Sequence, residues 1–248
     1  MFIILAQQRS GTHLLGSLLN SHSELYCAGE ILYGKLNNKY NFLRYLSEQY
    51  KCDHKTLQLS GHELHTKWNN YFSGIFQEIK ERKPYLKQIG VIIMYNQIKS
   101  ISPLLLEMVL SENSIIHLIR RNILRTYASD CINHATKQAH RRDPAEFREF
   151  HLDTDKLISK IESRKQLISN ATKLTTSRRY IDVFYENLKN DRSNEITKTL
   201  EFIGADNESL RTELHPTNPW PLSSMLTNFK EVEEILRGTE YENFLYTD

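Results

Sequence analysis

The sequence is poor in cysteine, in net charge and in long apolar runs, and each shortage excludes a class of protein. Its three cysteines, Cys27, Cys52 and Cys131, are odd in number and lack C-x-x-C spacing, so no disulfide framework or zinc site is expected. A net charge of +2 over 248 residues is too small for a general nucleic-acid binder. The apolar start, Met1–Ala6, is too short for a signal-peptide core or a membrane span. We therefore expect a soluble, cytoplasmic protein with reduced thiols.

Linkers, internal repeats and low-complexity tracts are also missing, which favours one domain over residues 1–248. Short apolar runs rich in β-branched or aromatic residues indicate strands. The predicted strands are Phe2–Ala6, Gly90–Met94, Ser114–Ile119, Tyr180–Phe184 and a shorter one near Glu24–Cys27. Amphipathic stretches between them predict helices, including His151–Thr176 and Lys230–Leu236. This alternation predicts an α/β fold with a central parallel sheet flanked by helices.

The first predicted strand leads into a short loop that suits a phosphate group. The loop and the residues after it read QQRSGTHLL over residues 7–15, and the leucines that follow predict a helix. A strand, a tight turn and a helix N-terminus in succession aim backbone N–H groups and the helix dipole at one point. Gly11 allows close approach, Ser10 and Thr12 add hydroxyl groups, and Arg9 adds a permanent charge. An ordinary turn with a Ser or Thr N-cap is the alternative.

A second candidate anion site follows the strand Ser114–Ile119. Arg121 lies at the carboxyl end of that strand, where open α/β sheets bind ligands. Ser129 comes eight residues later, so Arg121, Arg125 and Ser129 fall toward one side of the segment. A guanidinium and a hydroxyl at this spacing can bind a second phosphate. Solvated surface charges are the alternative.

Together the two segments resemble the cofactor signature of the sulfotransferase superfamily, in the manner of its bacterial and carbohydrate-type members. In that family a P-[KR]-[ST]-G-[ST] loop holds a 5′-phosphosulfate, and the present loop is similar to it, with Gln8 where proline is common. Arg121-Asn122 and Ser129 match the family's R-N-x6-S segment, which holds a 3′-phosphate. Ile92 stands where these relatives often have lysine. Further segments resemble the family at Cys27–Glu30, Gly90–Tyr95, Tyr185–Leu188, Pro221–Asn228 and Gly238–Tyr241.

The resemblance implies a P-loop-like sulfotransferase fold and a metal-independent reaction. A sulfuryl group would move from 3′-phosphoadenosine 5′-phosphosulfate to a hydroxyl or amine of a small soluble acceptor by in-line displacement. Arg9 would stabilise the leaving phosphate as well as bind it. The donor-site residues implied are Arg9, Ser10, Gly11, Thr12, His13, Leu14, Arg121 and Ser129. A small-molecule kinase, disfavoured by the missing Gly-Lys of a Walker A loop, and a non-catalytic binder of adenosine bisphosphate are the alternatives.

The general base is predicted by the resemblance to be Glu30, because several carbohydrate-type relatives use a glutamate there. Burial near the transferred group would raise the pKa of this carboxyl into a useful range. A structural hydrogen bond is the alternative role for Glu30. The alternative bases are histidines, namely His13 in the loop and the pair His62 and His65. His117, in a buried strand, is expected to be a hydrogen-bonded core residue.

The acceptor pocket is expected in the region of about residues 35–85, which the resemblance does not cover and which is predicted to be helices and loops. The candidate acceptor contacts are His13, Tyr33, His65 and Tyr95. Core packing is the alternative for Tyr95. A sugar or a natural product fits this reading, and a cationic acceptor would need acidic residues, for which Glu30 and Glu63 are candidates. No metal site is predicted, since no H-E-x-x-H motif or carboxylate cluster is present.

Overall fold

The predicted strands all form and join one parallel sheet. In the computed structural model, which describes residues 1–33, 38–50, 59–136 and 146–247, the strand order is β2-β3-β1-β4-β5. The strands are β1 (Phe2–Ala6), β2 (Leu25–Cys27), β3 (Gln88–Met94), β4 (Ser114–Ile119) and β5 (Tyr180–Phe184). All four strand pairs are parallel. The expected single-domain α/β architecture is confirmed. Cys52 and parts of the 35–85 region lie outside the described residues.

Helices cover both faces of this sheet. They are α1 (Thr12–Ser21), α2 (Phe42–Tyr50), α3 (Gly61–Lys80), α4 (Pro103–Ser111), α5 (Ile123–Thr136), α6 (Leu157–Thr175), α7 (Tyr185–Asn190), α8 (Arg192–Ile203), α9 (Leu222–Met225) and α10 (Phe229–Leu236). Two 3₁₀ turns span Tyr95–Ser100 and Glu242–Leu245. Within the described ranges, no helix combines the length and the apolar character needed to cross a membrane.

The long helix predicted over His151–Thr176 begins later than expected, at Leu157. The backbone N–H of Leu152 donates to the Asn228 side chain (3.0 Å) and not to a helical carbonyl. Lys156 has a left-handed backbone (φ 60°), a conformation in which a right-handed helix cannot continue. Contacts with the C-terminal part of the chain therefore hold this segment outside the helix, which local apolar spacing could not predict.

Alternation along β1 divides the core into two layers. Ile3 and Leu5 pack into the layer that includes α3 and α4, whereas Phe2 and Ile4 pack into the layer of α1 and α8. Gly90 on β3 lies against the ring of Phe2, and a Cβ there would be 1.9 Å from Phe2 Cε2. Only glycine lets β3 pair with β1 at this point.

The topology creates a crevice at the carboxyl ends of β1 and β4. These strands are neighbours, but the chain leaves β1 toward β2 and leaves β4 toward β5. The helices that follow them, α1 and α5, accordingly pack in different clusters. A pair of strands whose connections diverge in this way is where open α/β sheets bind ligands. Both predicted phosphate segments lie at this crevice.

Candidate functional site

The loop after β1 has an unusual backbone. Arg9 (φ 67°) and Gly11 (φ 94°) both have positive φ, and a non-glycine residue in this region is uncommon. Gly11 is the N-cap of α1, and no side chain caps that end of the helix. The expected alternative, a turn capped by Ser10 or Thr12, is therefore not what the chain adopts. Both of these residues are buried, and no side chain forms a capping hydrogen bond at the N-terminus of α1.

Gly11 also packs against the ring of Tyr185, which follows the edge strand β5. A Cβ at this position would lie 2.5 Å from Cδ2 of Tyr185, the first residue of α7. A side chain would thus be excluded both by the backbone conformation and by the ring. The segment Tyr185–Leu188 therefore packs against the loop after β1 through the Tyr185 ring.

The side chain of Arg9 connects the two predicted phosphate segments. Its Nε donates to Ser129 Oγ (2.9 Å), and its Nη2 donates to Thr217 Oγ1 (3.3 Å). Burial lowers the pKa of Arg9, the charge of Asp130 acts in the opposite direction, and the charge of Arg120 lowers it further. The guanidinium remains protonated, because arginine starts from a very high pKa.

More positive charge converges on the same cleft. Arg120 donates from Nη1 to the Arg9 carbonyl oxygen (3.4 Å), and its guanidinium carbon lies 4.4 Å from the centre of the Tyr185 ring. Arg120 and Arg125 line the cleft together with Ser129 and Thr217. Several guanidinium groups and hydroxyls around one partly buried cleft favour an anionic ligand.

Arg121 lies outside this cleft. Its side chain is exposed, its guanidinium carbon is 3.7 Å from the centre of the Phe184 ring, and Nη1 donates to Asn187 Oδ1 (3.4 Å). The backbone N–H groups of Arg121 and Asn122 both donate to Glu186 Oε1 (2.9 and 3.2 Å). Glu186 thereby fixes the start of α5, and with it the place from which the Arg121 side chain projects.

Glu30 lies at the same edge of the sheet, beyond β2. Gly29, with φ 77°, accepts a hydrogen bond at its carbonyl oxygen from the Ile92 N–H on β3 (2.9 Å). The half-buried Glu30 carboxylate accepts a hydrogen bond at Oε2 from Gln97 Nε2. Burial raises the pKa of Glu30, and the hydrogen bond from Gln97 opposes that rise. A single strand, β3, separates β2 from β1, so the ends of β2 and β1 are about 10 Å apart.

Tyr95 belongs to a relay of three side chains, of which Tyr95 and His117 are buried and Asp182 is half-buried. Its hydroxyl lies 2.6 Å from His117 Nε2, and His117 Nδ1 lies 2.8 Å from Asp182 Oδ1. A carboxylate can only accept, so Nδ1 carries the proton and Tyr95 donates to Nε2. Burial lowers the pKa of His117 despite the neighbouring carboxylate, which favours the neutral ring. His117 is thus the hydrogen-bonded core residue that was expected.

The remaining predicted residues are more dispersed. His13 is exposed and Leu14 is half-buried on the first turn of α1, and Tyr33 is half-buried on the segment after Glu30. His65 lies elsewhere, on α3, where its Nε2 is 3.3 Å from Glu112 Oε2 just before β4 begins. The structure therefore does not bring His65 to the carboxyl ends of the strands.

Glu63, considered for a cationic acceptor, has a structural partner. It forms a capping box with Ser60 at the start of α3, and both residues are exposed. Across the described part of the chain, no group of three or more His, Cys, Asp or Glu side chains could hold a metal ion.

Three site residues were missed by sequence reasoning. Arg120 could have been suspected, since it adjoins Arg121 and successive residues at a strand end point to opposite sides. Thr217 reaches the cleft from a segment without regular structure, and Gln97 lies in a short 3₁₀ turn. Neither of these two lies in a sequence pattern that indicates chemistry.

Fold and site together define a single-domain α/β protein with a cleft lined by arginines at the carboxyl edge of its sheet and a half-buried carboxylate at the same edge. The family model described as the sulfotransferase family matches residues 2–209. The chain therefore belongs to the sulfotransferase family, a group of transferases. A search of curated proteins gives no match.

Solved structures with a similar fold include several sulfotransferases. One is the sulfotransferase domain of the Synechococcus PCC 7002 olefin synthase, with 16% identity, TM-score 0.46 and coverage of 84% of this chain and 74% of that chain. Another is the sulfotransferase domain from the curacin biosynthetic pathway, with 13% identity, TM-score 0.45 and coverage of 84% and 75%. A sulfotransferase from Alicyclobacillus acidocaldarius has 10% identity, TM-score 0.48 and coverage of 100% and 96%. With these TM-scores below 0.5, the family assignment rests on the family model.

Proposed function

We propose that this sulfotransferase uses 3′-phosphoadenosine 5′-phosphosulfate as its donor and sulfates a hydroxyl or amine of a small acceptor by in-line displacement. The observation that carries the proposal is the contact of Arg9 with Ser129. One residue comes from the loop predicted to bind the 5′-phosphosulfate and the other from the segment predicted to bind the 3′-phosphate. They are 120 positions apart in sequence, and they meet in one cationic cleft.

The cleft fits a donor with two separated phosphate groups. The positive φ of Gly11 and the uncapped start of α1 suit a phosphate against backbone N–H groups, with the hydroxyls of Ser10 and Thr12 beside it. His13 and Leu14, on the same helical turn, complete this part of the proposed site. Arg9 would offset the negative charge that grows on the leaving phosphate.

The proposed 3′-phosphate site is centred on Ser129. Arg120 already lines that part of the cleft. Arg121, the residue that matches the family motif, would have to leave the Phe184 ring to reach it. Arg121 remains our proposed 3′-phosphate ligand, and the adjacent Arg120 makes a matched comparison possible.

Glu30 is the proposed general base. The donor supplies the sulfuryl group, whose bond to the bridging oxygen breaks as its bond to the acceptor forms. Glu30 would accept the proton that the acceptor hydroxyl or amine loses, and the pKa raised by burial suits that role. Tyr33 and His13 are proposed acceptor contacts, and the pocket is proposed to lie in the region of about residues 35–85. Cys27 and Cys131 are free thiols, which supports the proposal of a reducing, cytoplasmic location.

The proposal is tested by calorimetric titration in the presence of a chelator. Adenosine 3′,5′-bisphosphate is compared with adenosine 5′-monophosphate and with ATP, the latter with and without Mg²⁺. We expect the bisphosphate to bind at least about tenfold more tightly than the monophosphate, because a charge-assisted phosphate contact is added. Absence of bisphosphate binding, or a Mg²⁺-dependent preference for ATP, would contradict the proposal and favour a kinase. Tight bisphosphate binding without turnover of the phosphosulfate in an acceptor screen would favour a non-catalytic binder.

A further inference from the structure

Gln97 lies in the turn that follows β3 and is buried. Its side-chain amide donates a hydrogen bond to the Glu30 carboxylate. We propose that Gln97 is the positioning residue of the base, holding one oxygen of the Glu30 carboxylate so that the other can take the acceptor's proton. The inference rests on the proposed function, in that it assumes Glu30 is the base. It assigns a role to a residue that neither the motifs nor the family resemblance single out.

The backbone of Glu30 is fixed independently of its side chain. The preceding residues continue the pairing with β3, through Ala28 N–H to the Gly90 carbonyl (2.8 Å) and Ile92 N–H to the Gly29 carbonyl (2.9 Å). Asn38 Nδ2 donates to the Ala28 carbonyl oxygen (3.1 Å). What remains to be set is the direction of the carboxylate, and in the described residues only Gln97 forms a hydrogen bond with it.

The orientation of the Gln97 amide is determined by a backbone group. Gln97 Oε1 accepts a hydrogen bond from the Met94 N–H (3.2 Å), so this end of the amide must be the oxygen. The NH₂ end is then directed at Glu30 Oε2. If the amide were flipped, its oxygen would face the Glu30 carboxylate, acceptor against acceptor. Its NH₂ group would face the Met94 N–H, donor against donor, and both hydrogen bonds would be lost.

The turn that carries Gln97 is itself anchored. Tyr95, its first residue, is buried and donates to His117, which is held in turn by Asp182. Ser100, at the other end, donates to the Gln97 carbonyl oxygen (2.7 Å). Gln97 is therefore a rigid donor, and the relay through β4 and β5 acquires a function as its support.

Two opposing influences act on the pKa of Glu30. Burial favours the neutral acid, and the amide donor favours the carboxylate. The titratable groups on the surrounding elements are Tyr26, Cys27, Tyr33, Lys39, Tyr40, Tyr95 and Lys99. Lys39 and Lys99 are the cationic side chains of this set, and both are exposed. Loss of the Gln97 donor should therefore raise the pKa of Glu30 further.

The first test measures that pKa without requiring turnover. Carboxyl ¹³C resonances of glutamate-labelled protein are titrated by NMR in the wild type and in Gln97→Met, with Glu30→Gln used to assign the signal. We expect a higher Glu30 pKa in Gln97→Met and no change in Gln88→Met. Gln88 is a matched control at the amino end of the same strand, where its amide donates to the Ile203 carbonyl oxygen (2.7 Å). An unchanged Glu30 pKa in Gln97→Met would overturn the proposal.

The second test is kinetic. In Gln97→Met the acidic limb of the turnover–pH profile should move to higher pH, and turnover at the lower end of the profile should fall about tenfold, as expected for loss of a hydrogen bond to a charged group. Adding Gln97→Met to Glu30→Gln should cause no further loss. A stable Gln97→Met protein with a raised Glu30 pKa but an unmoved acidic limb would show that Glu30 is not the base. That outcome would overturn the proposed catalytic role of Gln97.

A second variant, Gln97→Glu, and the independence of the NMR titration from donor binding cover the cases in which one test fails. If Gln97→Met does not fold, Gln97→Glu preserves the shape and the acceptor for Met94, and it places a second carboxyl beside Glu30, so the same upward shift is expected. If the bisphosphate fails to bind, the donor assignment fails, whereas the NMR titration still decides whether Gln97 controls Glu30.

Discussion

The two halves of the carboxyl edge are built from different chemistry. The proposed donor half, formed by Arg9–Thr12, Arg120, Ser129 and Tyr185 at the ends of β1, β4 and β5, concentrates positive charge around a loop with positive φ angles. The proposed acceptor half, formed by Glu30, Tyr95 and Gln97 at the ends of β2 and β3, has one carboxylate that accepts a hydrogen bond from a neutral amide. The proposed donor has two separated anionic groups, which need fixed cations and backbone N–H groups, and these residues form a recognisable sequence pattern. The proposed acceptor site needs a pocket of the right shape and one base, and these requirements leave almost no sequence pattern.

The largest effect is expected from Glu30→Gln, which keeps the side-chain shape and removes the base. Turnover should fall about a hundredfold or more, the usual contribution of a general base, while bisphosphate affinity stays the same. In the wild type, turnover should also fall as the pH drops through the raised pKa of Glu30, because only its carboxylate accepts a proton. Steady-state kinetics across pH provide the measurement, with the exposed Glu63→Gln as control. Unchanged turnover in Glu30→Gln would move the base to a histidine.

Gly11→Ala tests the donor half through its backbone. The positive φ of Gly11 disfavours any residue with a Cβ, and an added Cβ would clash with the Tyr185 ring, so the loop must shift. Bisphosphate affinity should therefore fall about tenfold or more. The control is Gly204→Ala, which has a similar φ of 73° and no atom within 4 Å of the added Cβ. That variant should lose about 1 kcal/mol of unfolding free energy from backbone strain alone. Calorimetry and urea unfolding compare the two, and equal effects on affinity would remove the loop from the donor site.

Arg121→Ala and Arg120→Ala form a matched pair. Arg121→Ala should weaken bisphosphate binding about tenfold and monophosphate binding hardly at all, as expected for loss of a charged 3′-phosphate contact. Arg120→Ala, which removes the cation beside the Arg9 carbonyl, should weaken both ligands alike. Titration of each variant with both nucleotides gives the two ratios. Should the selective loss occur in Arg120→Ala, the 3′-phosphate contact belongs to Arg120.

Tyr95→Phe probes the support of the acceptor half. It removes the donor to the buried His117 Nε2, and the free energy of unfolding should fall by about 1–3 kcal/mol. Because burial lowers the pKa of His117, the unfolded chain binds the proton more readily, so this residue makes stability decline as the pH falls below the pKa of an unfolded-chain histidine. Urea unfolding at several pH values measures both effects. Tyr85→Phe, at a side chain that is 75% exposed, is the control and should change little.

The smallest effect is expected from His65→Ala. This ring pairs with an exposed carboxylate, Glu112, near the start of β4. Such surface pairs contribute at most about 1 kcal/mol, and the Michaelis constant for the acceptor should stay within about twofold of the wild type. A large rise would place the acceptor along α3 and would extend the acceptor half beyond the ends of β2 and β3.

Much of the fold could be predicted because β1, β3 and β4 are almost wholly buried and each strand is one short continuous run of sequence. The bounds of β1, β4 and β5 match the apolar runs that predicted them, and β3 begins at Gln88, two positions before the predicted Gly90. Burial on both faces produces continuous apolar runs, which polar residues end clearly. The start of α6 was predicted wrongly because contacts between distant segments, not local spacing, determine it.

The site was predictable only where its residues lie close together in the chain. The loop after β1 and the Arg121–Ser129 segment each have a pattern, but their contact through Arg9 depends on the order of strands in the sheet. The hydrogen bond from Gln97 to Glu30 joins residues 67 positions apart, and Thr217 reaches Arg9 across 208. Contacts of this kind depend on how the whole chain packs, which one sequence does not reveal.

The most direct test of the account is a crystal structure with adenosine 3′,5′-bisphosphate bound. The account predicts the 5′-phosphate on the backbone N–H groups of Ser10–Thr12 and the 3′-phosphate within hydrogen-bond distance of Ser129 Oγ. Arg9 would then have exchanged its contact with Ser129 for one with the nucleotide. A nucleotide bound elsewhere, or bound with the contact between Arg9 and Ser129 intact and no phosphate at the loop, would contradict it.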